Sequence, residues 1–255
     1  MKPVICNYYL TYRCNARCGF CTIWRNTTVP KSGEASPETV MENLSVLRSR
    51  GVRIVDFTGG EPLLYDALPA VLRFAKSLGL RTTVTTNGIA YPGRAEELTG
   101  LVDYLQFSLH GTNEEEHDRV TVTPSFARII ESVAIARKLG DRPTFIHTVS
   151  DENIGNVRAV ISFARSMKTL MVLNPCFEYP GAEGLSRENA RRLIDLSRGK
   201  GVVADRGYLA FAADGGNKTA RPRCLAVSST IVISPDNRLL LPCYHRGITS
   251  IPLTA

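Results

Sequence analysis

The sequence contains no apolar run approaching the roughly 20 residues that a helix needs to cross a bilayer. A signal-peptide pattern is also missing. Met1-Lys2-Pro3 runs directly into a strand-like segment, so the expected compartment is the cytoplasm. No internal repeat or low-complexity tract is present, which excludes a solenoid or a biased linker as the organising plan. Nor is there a run of five or six basic residues. The net charge of +7 is dispersed, and Arg187, Arg191, Arg192, Arg198 and Lys200 are spread along one candidate helix and its end. A net charge of this sign suits an acidic partner such as nucleic acid, a phosphorylated substrate or a membrane surface, but a dispersed pattern is more often a solvated helix face. The seven cysteines form an odd set in a chain without a secretion signal, which argues against a disulfide framework and for metal ligands.

What is present is a regular alternation. Strand patterns at 4–11, 53–57, 81–85, 102–109, 143–149 and 169–173 alternate with helix patterns at 36–50, 66–78, 94–101, 125–139, 153–167 and 186–198. Ser36-Pro37-Glu38 supplies a cap and a first-turn proline, and glycines at 51, 79 and 140 close three of the helices. Six such units joined by short loops imply parallel strands with right-handed crossovers. The length of 255 residues suits one sizeable α/β core with an appendix. Asn153, opening a helix, reads as a cap, and Cys6, inside the first strand, as a buried structural thiol.

The unusual residues collect at the C-terminal ends of the strands, where chemistry occurs in barrels of this kind. The first is Cys14-Asn15-Ala16-Arg17-Cys18-Gly19-Phe20-Cys21. Three thiolates at this spacing can converge on one metal centre but cannot complete four ligands. A structural zinc site wants four closed protein ligands, whereas a cubane iron–sulfur cluster tolerates one iron left open. Zinc and redox readings of the triplet stay open on spacing alone. The second feature is Thr58-Gly59-Gly60-Glu61-Pro62, a loop in which two glycines permit close backbone approach. Thr86-Asn87-Gly88 and Ser108-Leu109-His110-Gly111 end the third and fourth strands.

The cysteine spacing, with an aromatic before the third thiol, and the Gly-Gly-Glu-Pro loop resemble the radical S-adenosylmethionine (SAM) family. The resemblance implies a partial (β/α)6 TIM-like barrel, which the strand count matches independently. It implies a [4Fe–4S] cluster on Cys14, Cys18 and Cys21 whose open iron is chelated by SAM's amino and carboxylate groups. Reduction would split SAM into methionine and a 5′-deoxyadenosyl radical that abstracts a substrate hydrogen. By the same resemblance Gly59, Gly60 and Glu61 form the edge that binds SAM's amino group. Phe20 packs near adenine, and Asn87 and Ser108 are candidates for the carboxylate or ribose. His110 is a candidate proton donor or acceptor, or a structural histidine. The implied partners are a peptide or small-molecule substrate and an electron donor of the flavodoxin or ferredoxin kind.

Residues 1–180 are expected to form the core and 181–255 a C-terminal extension. The segment from Cys224 to Cys243 reads as a β-hairpin turning at Pro235-Asp236-Asn237. It looks like the opening of a twitch or SPASM extension, which would carry a second iron–sulfur cluster. The chain ends twelve residues past Cys243 without another cysteine, so the expected ligand set is short. Either the extension is truncated, or Cys176 or His245 completes the site with Cys224 and Cys243, or those two are vestigial or bind zinc. The competing functional class is a non-catalytic iron–sulfur or zinc protein with a basic nucleic-acid-binding surface, supported by the thiols and the charge.

Overall fold

The helices start and stop where their end groups are satisfied. In α1 (Pro37–Arg50) the Ser36 hydroxyl accepts from the Thr39 N–H, and Gly51 closes the last turn at φ 109°. A computed structural model describes residues 2–21, 23–24, 33–177, 184–216, 228–241 and 249–253. The six expected strands are all present: β1 (Ile5–Thr11), β2 (Ile54–Gly59), β3 (Arg81–Thr86), β4 (Tyr104–Ser108), β5 (Thr144–Val149) and β6 (Met171–Pro175). They pair in sequence order, all parallel. Between them run α2 (Leu68–Ser77), α3 (Tyr91–Leu98), α5 (Phe126–Lys138) and α6 (Val157–Ser166).

Apolar side chains on alternate strand positions, including Val55, Phe57, Phe107 and Phe145, are sealed under these helices and fully buried. Leu44, Leu72, Ile129 and Val160 meet them from α1, α2, α5 and α6. Each such side chain contributes about 1.5–3 kcal/mol. The opposite strand face lines a single cavity touched by residues of all six strands. Adjacent strands lie about 4.8 Å apart, so a flat sheet could not bring β1 and β6 to one cavity; the sheet curls into an open barrel.

The structure adds elements that the sequence reading did not contain. A short helix, α4 (Glu114–Thr121), precedes α5, and after α7 (Arg187–Leu196) come β7 (Val202–Ala204) and α8 (Arg206–Ala213). β7 extends the sheet beyond β6. At the other edge β8 (Thr230–Ile233) pairs parallel with β1 and forms the expected hairpin with β9 (Arg238–Leu241), to which β10 (Thr249–Pro252) adds antiparallel. The hairpin is therefore continuous with the barrel sheet, whose order is β10-β9-β8-β1-β2-β3-β4-β5-β6-β7.

Asn153 stands at the N-cap position of a 3-10 turn (Ile154–Asn156) ahead of α6, but its side chain makes no cap hydrogen bond. Its Oδ1 accepts from the Ser150 N–H and its Nδ2 donates to the Thr148 carbonyl, bracing the end of β5. Cys6 is fully buried, as expected. Cys224, Cys243 and His245 lie outside the described residues. Among the described residues, no helix is long and apolar enough to cross a membrane.

Candidate active site

The cysteine loop leaves the C-terminal end of β1 and is seated by backbone hydrogen bonds on two sides. On one side the Gly60 N–H donates to the Thr11 carbonyl (2.7 Å) and the Glu61 N–H to the Arg13 carbonyl (2.8 Å). On the other, the N–H groups of Arg17 and Gly19 donate to the carbonyls of Thr121 and Val120 at the end of α4 (3.0 and 2.9 Å). Those carbonyls would otherwise lack intrahelical partners. Within the loop the Cys21 N–H donates to the Cys18 carbonyl, which also accepts from the Trp24 indole N–H. The Arg17 guanidinium lies over the Trp24 ring, 5.5 Å from its centre.

The glycines of the second motif serve this seating. A Cβ on Gly59, itself at φ 131°, would stand 2.3 Å from the Thr11 carbonyl oxygen, and one on Gly60 2.1 Å from that of Arg13. The close approach they permit is to the cysteine loop's own backbone. The Glu61 side chain is 1% exposed. Its carboxylate accepts from the Thr86 hydroxyl (2.6 Å), the Leu63 N–H (3.0 Å) and the Asn87 N–H (2.8 Å). Glu61 is thus an internal brace joining the ends of β2 and β3. Burial raises its carboxyl to about 7, against the pull of those three donors.

Asn87 continues the brace: its Nδ2 donates to Asn15 Oδ1 (2.7 Å) and reaches Cys14 Sγ at 3.9 Å, while its Oδ1 accepts from the Ile89 N–H. Ser108 ends β4, half-buried. Phe20 meets His110 edge-on, ring centres 5.0 Å apart. His110 in turn stacks on His117 of α4 and lies against His147 of β5. His117 Nδ1 accepts the His110 backbone N–H, so its Nε2 carries the proton toward the Ser125 hydroxyl. His147 donates from Nδ1 to the Leu109 carbonyl. His110 Nδ1 and His147 Nε2 are buried without a hydrogen-bond partner. Burial holds His117 and His147 down at about 4, and His110 well below its ordinary value. His110 is therefore one of three buried neutral histidines behind Phe20.

The barrel cavity, about 330 Å³, opens at the same end of the strands. Phe20, Ile23, Gly59, Cys176 and Phe177 line it toward the mouth, and inward positions of the strands line it below, among them Asp56, Thr85, Gln106 and Asn174. The sequence reading missed these inward residues. Their signal was present: Asp56 lies between Val55 and Phe57, and Gln106 between Leu105 and Phe107, whereas strands buried on both faces are ordinarily apolar throughout. Burial raises the Cys176 thiol, and the charges of Asp151, Cys21 and Glu152 add to that effect.

Among the described residues, no three His, Cys, Asp or Glu side chains already stand in an arrangement that could hold a metal ion. The donor chemistry of the loop nevertheless fits an iron–sulfur cluster. Cys14, Cys18 and Cys21 stand on one loop, and none of them is in a disulfide. Burial pushes Cys14 to about 11, and burial with the charges of Cys21 and Cys14 pushes Cys18 to about 12. Three soft ligands whose mutual charge is costly are relieved by a shared cation centre. The N–H of Ala16 also points at Cys14 Sγ (3.4 Å), the kind of contact that tunes cluster potential.

Comparison with known proteins adds four matches. A model of the radical SAM superfamily matches residues 8–164. A protein named probable GTP 3′,8-cyclase from Thermoplasma volcanium is 32% identical over 179 residues, which is 68% of this chain and 54% of that one. An AdoMet-dependent heme synthase from Methanosarcina barkeri is 30% identical over 169 residues, 65% of this chain and 48% of that one. The chain thus spans about half the length of these relatives. Among solved structures, SuiB from Streptococcus suis, bound to its precursor peptide SuiA, superposes with a TM-score of 0.77 at 17% identity, over 95% of this chain and 60% of that one. At that identity the likeness is one of fold, a TIM-barrel-like α/β arrangement.

Proposed function

The chain belongs to the radical SAM superfamily, and from that premise we propose that it is an enzyme holding a [4Fe–4S] cluster on Cys14, Cys18 and Cys21 with SAM beside it. When bound, that pair supplies a 5′-deoxyadenosyl radical by reductive cleavage of SAM, and the radical takes a hydrogen atom from the substrate. The observation that carries the reading is that the cysteine loop forms part of the wall of the barrel cavity. Phe20 and Ile23, flanking Cys21, line the same space as Thr85 and Gln106.

The chain's own residues then have distinct tasks. Asn87 and the Ala16 N–H stabilise the Cys14 thiolate. Glu61 and the paired glycines fix the loop against β2, and the Gly60–Glu61 edge would hold SAM's amino group. Phe20, held by His110, would pack against the adenine, and Ser108 and Asn87, at the ends of β4 and β3, would hold the ribose and carboxylate. Phe20, Ile23 and Phe177 give the mouth an apolar rim.

The substrate is a small molecule or a peptide. The names of the two relatives favour the former, and the precursor peptide held by SuiB the latter. An electron donor of the flavodoxin or ferredoxin kind supplies the reducing equivalent. The test is anaerobic: reconstitute the cluster, reduce it, add SAM, and assay 5′-deoxyadenosine and methionine. Alanine at Cys14, Cys18 or Cys21 abolishes both products, and cleavage retained in any of these variants overturns the assignment.

A further inference from the structure

The cavity wall has an unusual charge balance. Asn7, Thr58, Thr85, Gln106, Thr148 and Asn174 offer neutral hydrogen-bonding groups from β1, β2, β3, β4, β5 and β6. Among the described residues lining it there is one carboxylate, Asp56, and no lysine, arginine or histidine. The interior of a closed (β/α)8 barrel is filled by branched apolar side chains. This wall is built for a polar occupant.

Asp56 is poorly served by the protein around it. Thr85 Oγ1 lies 3.4 Å from Asp56 Oδ1 and 3.1 Å from Gln106 Oε1. A hydroxyl has one proton, so Thr85 satisfies at most one of the carboxylate's several acceptor sites. None of the ion pairs among the described residues includes Asp56. Enclosure by the barrel raises its carboxyl to about 7. A carboxylate so enclosed is costly unless it is protonated or paired, and the open side of this one faces the cavity.

Resting on the radical SAM reading, we propose that Asp56 is the specificity-determining residue of the lumen and that it receives a cationic nitrogen group of the substrate, an amine or a guanidinium. The surrounding amides and hydroxyls supply neutral contacts around that group. A guanine base also presents N–H donors. Its triphosphate, however, would add several negative charges to a described wall whose one formal charge is negative, and like charges in a low-dielectric space repel. The inference therefore separates this chain from the relatives named GTP 3′,8-cyclase at the level of substrate.

The experiment uses the reconstituted holoprotein saturated with SAM and measures binding by calorimetry with three probes: butylguanidinium, butyrate and GTP. Butylguanidinium is expected to bind saturably without displacing SAM, and at least tenfold more tightly than butyrate or GTP. Asp56→Asn is expected to weaken it about tenfold or more, the scale of a charge-assisted contact. Tighter binding of GTP than of butylguanidinium, no butylguanidinium binding, or displacement of SAM by it overturns the proposal. Should Asp56→Asn fail to fold, the ranking of the three probes on the unaltered protein decides. Assaying 5′-deoxyadenosine on the same preparation keeps the outcomes apart. Product without cation preference refutes the Asp56 inference alone, and no SAM cleavage counts against the wider reading.

Discussion

At Gly60 a single methyl group decides whether the cysteine loop can be seated. Its Cβ would fall 2.1 Å from the Arg13 carbonyl oxygen, and moving that carbonyl breaks the neighbouring Gly60–Thr11 and Glu61–Arg13 hydrogen bonds. Gly60→Ala is expected to cost about 3 kcal/mol or more of stability and to lower iron per chain. Gly93, in α3 with open space around it, is the control. Gly93→Ala should be neutral or stabilising by up to about 1 kcal/mol. Denaturation midpoints of the two variants check the contrast. Glu61 makes a second residue-scale case. Because its carboxylate serves three buried donors, Glu61→Ala leaves three unsatisfied groups at roughly 1–3 kcal/mol each. Stability, iron content and SAM affinity should fall together. A variant with lost SAM affinity but an unchanged midpoint would refute the brace and leave a direct ligand role.

Among the elements, α4 shows most clearly where sequence reasoning ends. The strands and the larger helices were legible because their apolar residues recur at the period of the element that buries them. In α4 the first turn is Glu114-Glu115-Glu116 and the buried residues are His117 and Thr121, so no apolar stripe announces a helix. Yet this element accepts the N–H groups of Arg17 and Gly19 and places His117 beneath His110. It also sets up a pH dependence. His117 and His147 are held at about 4 in the folded chain, below the ordinary value of 6.5. The unfolded chain therefore binds more protons between those limits, and stability drops as pH falls from 6.5 toward 4. Asp56 and Glu61, raised to about 7, act oppositely, the folded chain holding their protons longer. The clean readout is hence a difference. His147→Asn, which keeps a donor for the Leu109 carbonyl, should lose less stability than the unaltered protein between pH 7 and pH 5, by on the order of 2 kcal/mol. Equal losses would mean that His147 is not held neutral.

At the scale of the whole molecule, the described strands form one continuous sheet whose two edges are extended by strands from the C-terminal part. The hairpin turning at Pro235-Asp236-Asn237 was legible from its turn residues, but its place was not. Nothing local in Thr230–Ile233 specifies pairing with β1, because that register depends on which edge the barrel leaves open. The pairing has a consequence for function, since β1 carries the cysteine loop. Val232 and Ile233 are 0% and 2% exposed. Asn43 of α1 donates to both the Tyr8 hydroxyl and Asn237 Oδ1 at 2.8 Å, tying hairpin, helix and β1 together. Removing residues 217–255 takes those two side chains out of the core, a loss of about 1.5–3 kcal/mol each, and strips the ladder from one side of β1. Against a total stability of about 5–15 kcal/mol, this brings the remaining barrel close to its unfolding threshold. The shortened chain is expected to lose cooperative unfolding, or to unfold at a clearly lower urea concentration, and to take up less iron on Cys14, Cys18 and Cys21. An unchanged midpoint with full iron loading would show that the barrel holds its cysteine loop without the C-terminal strands.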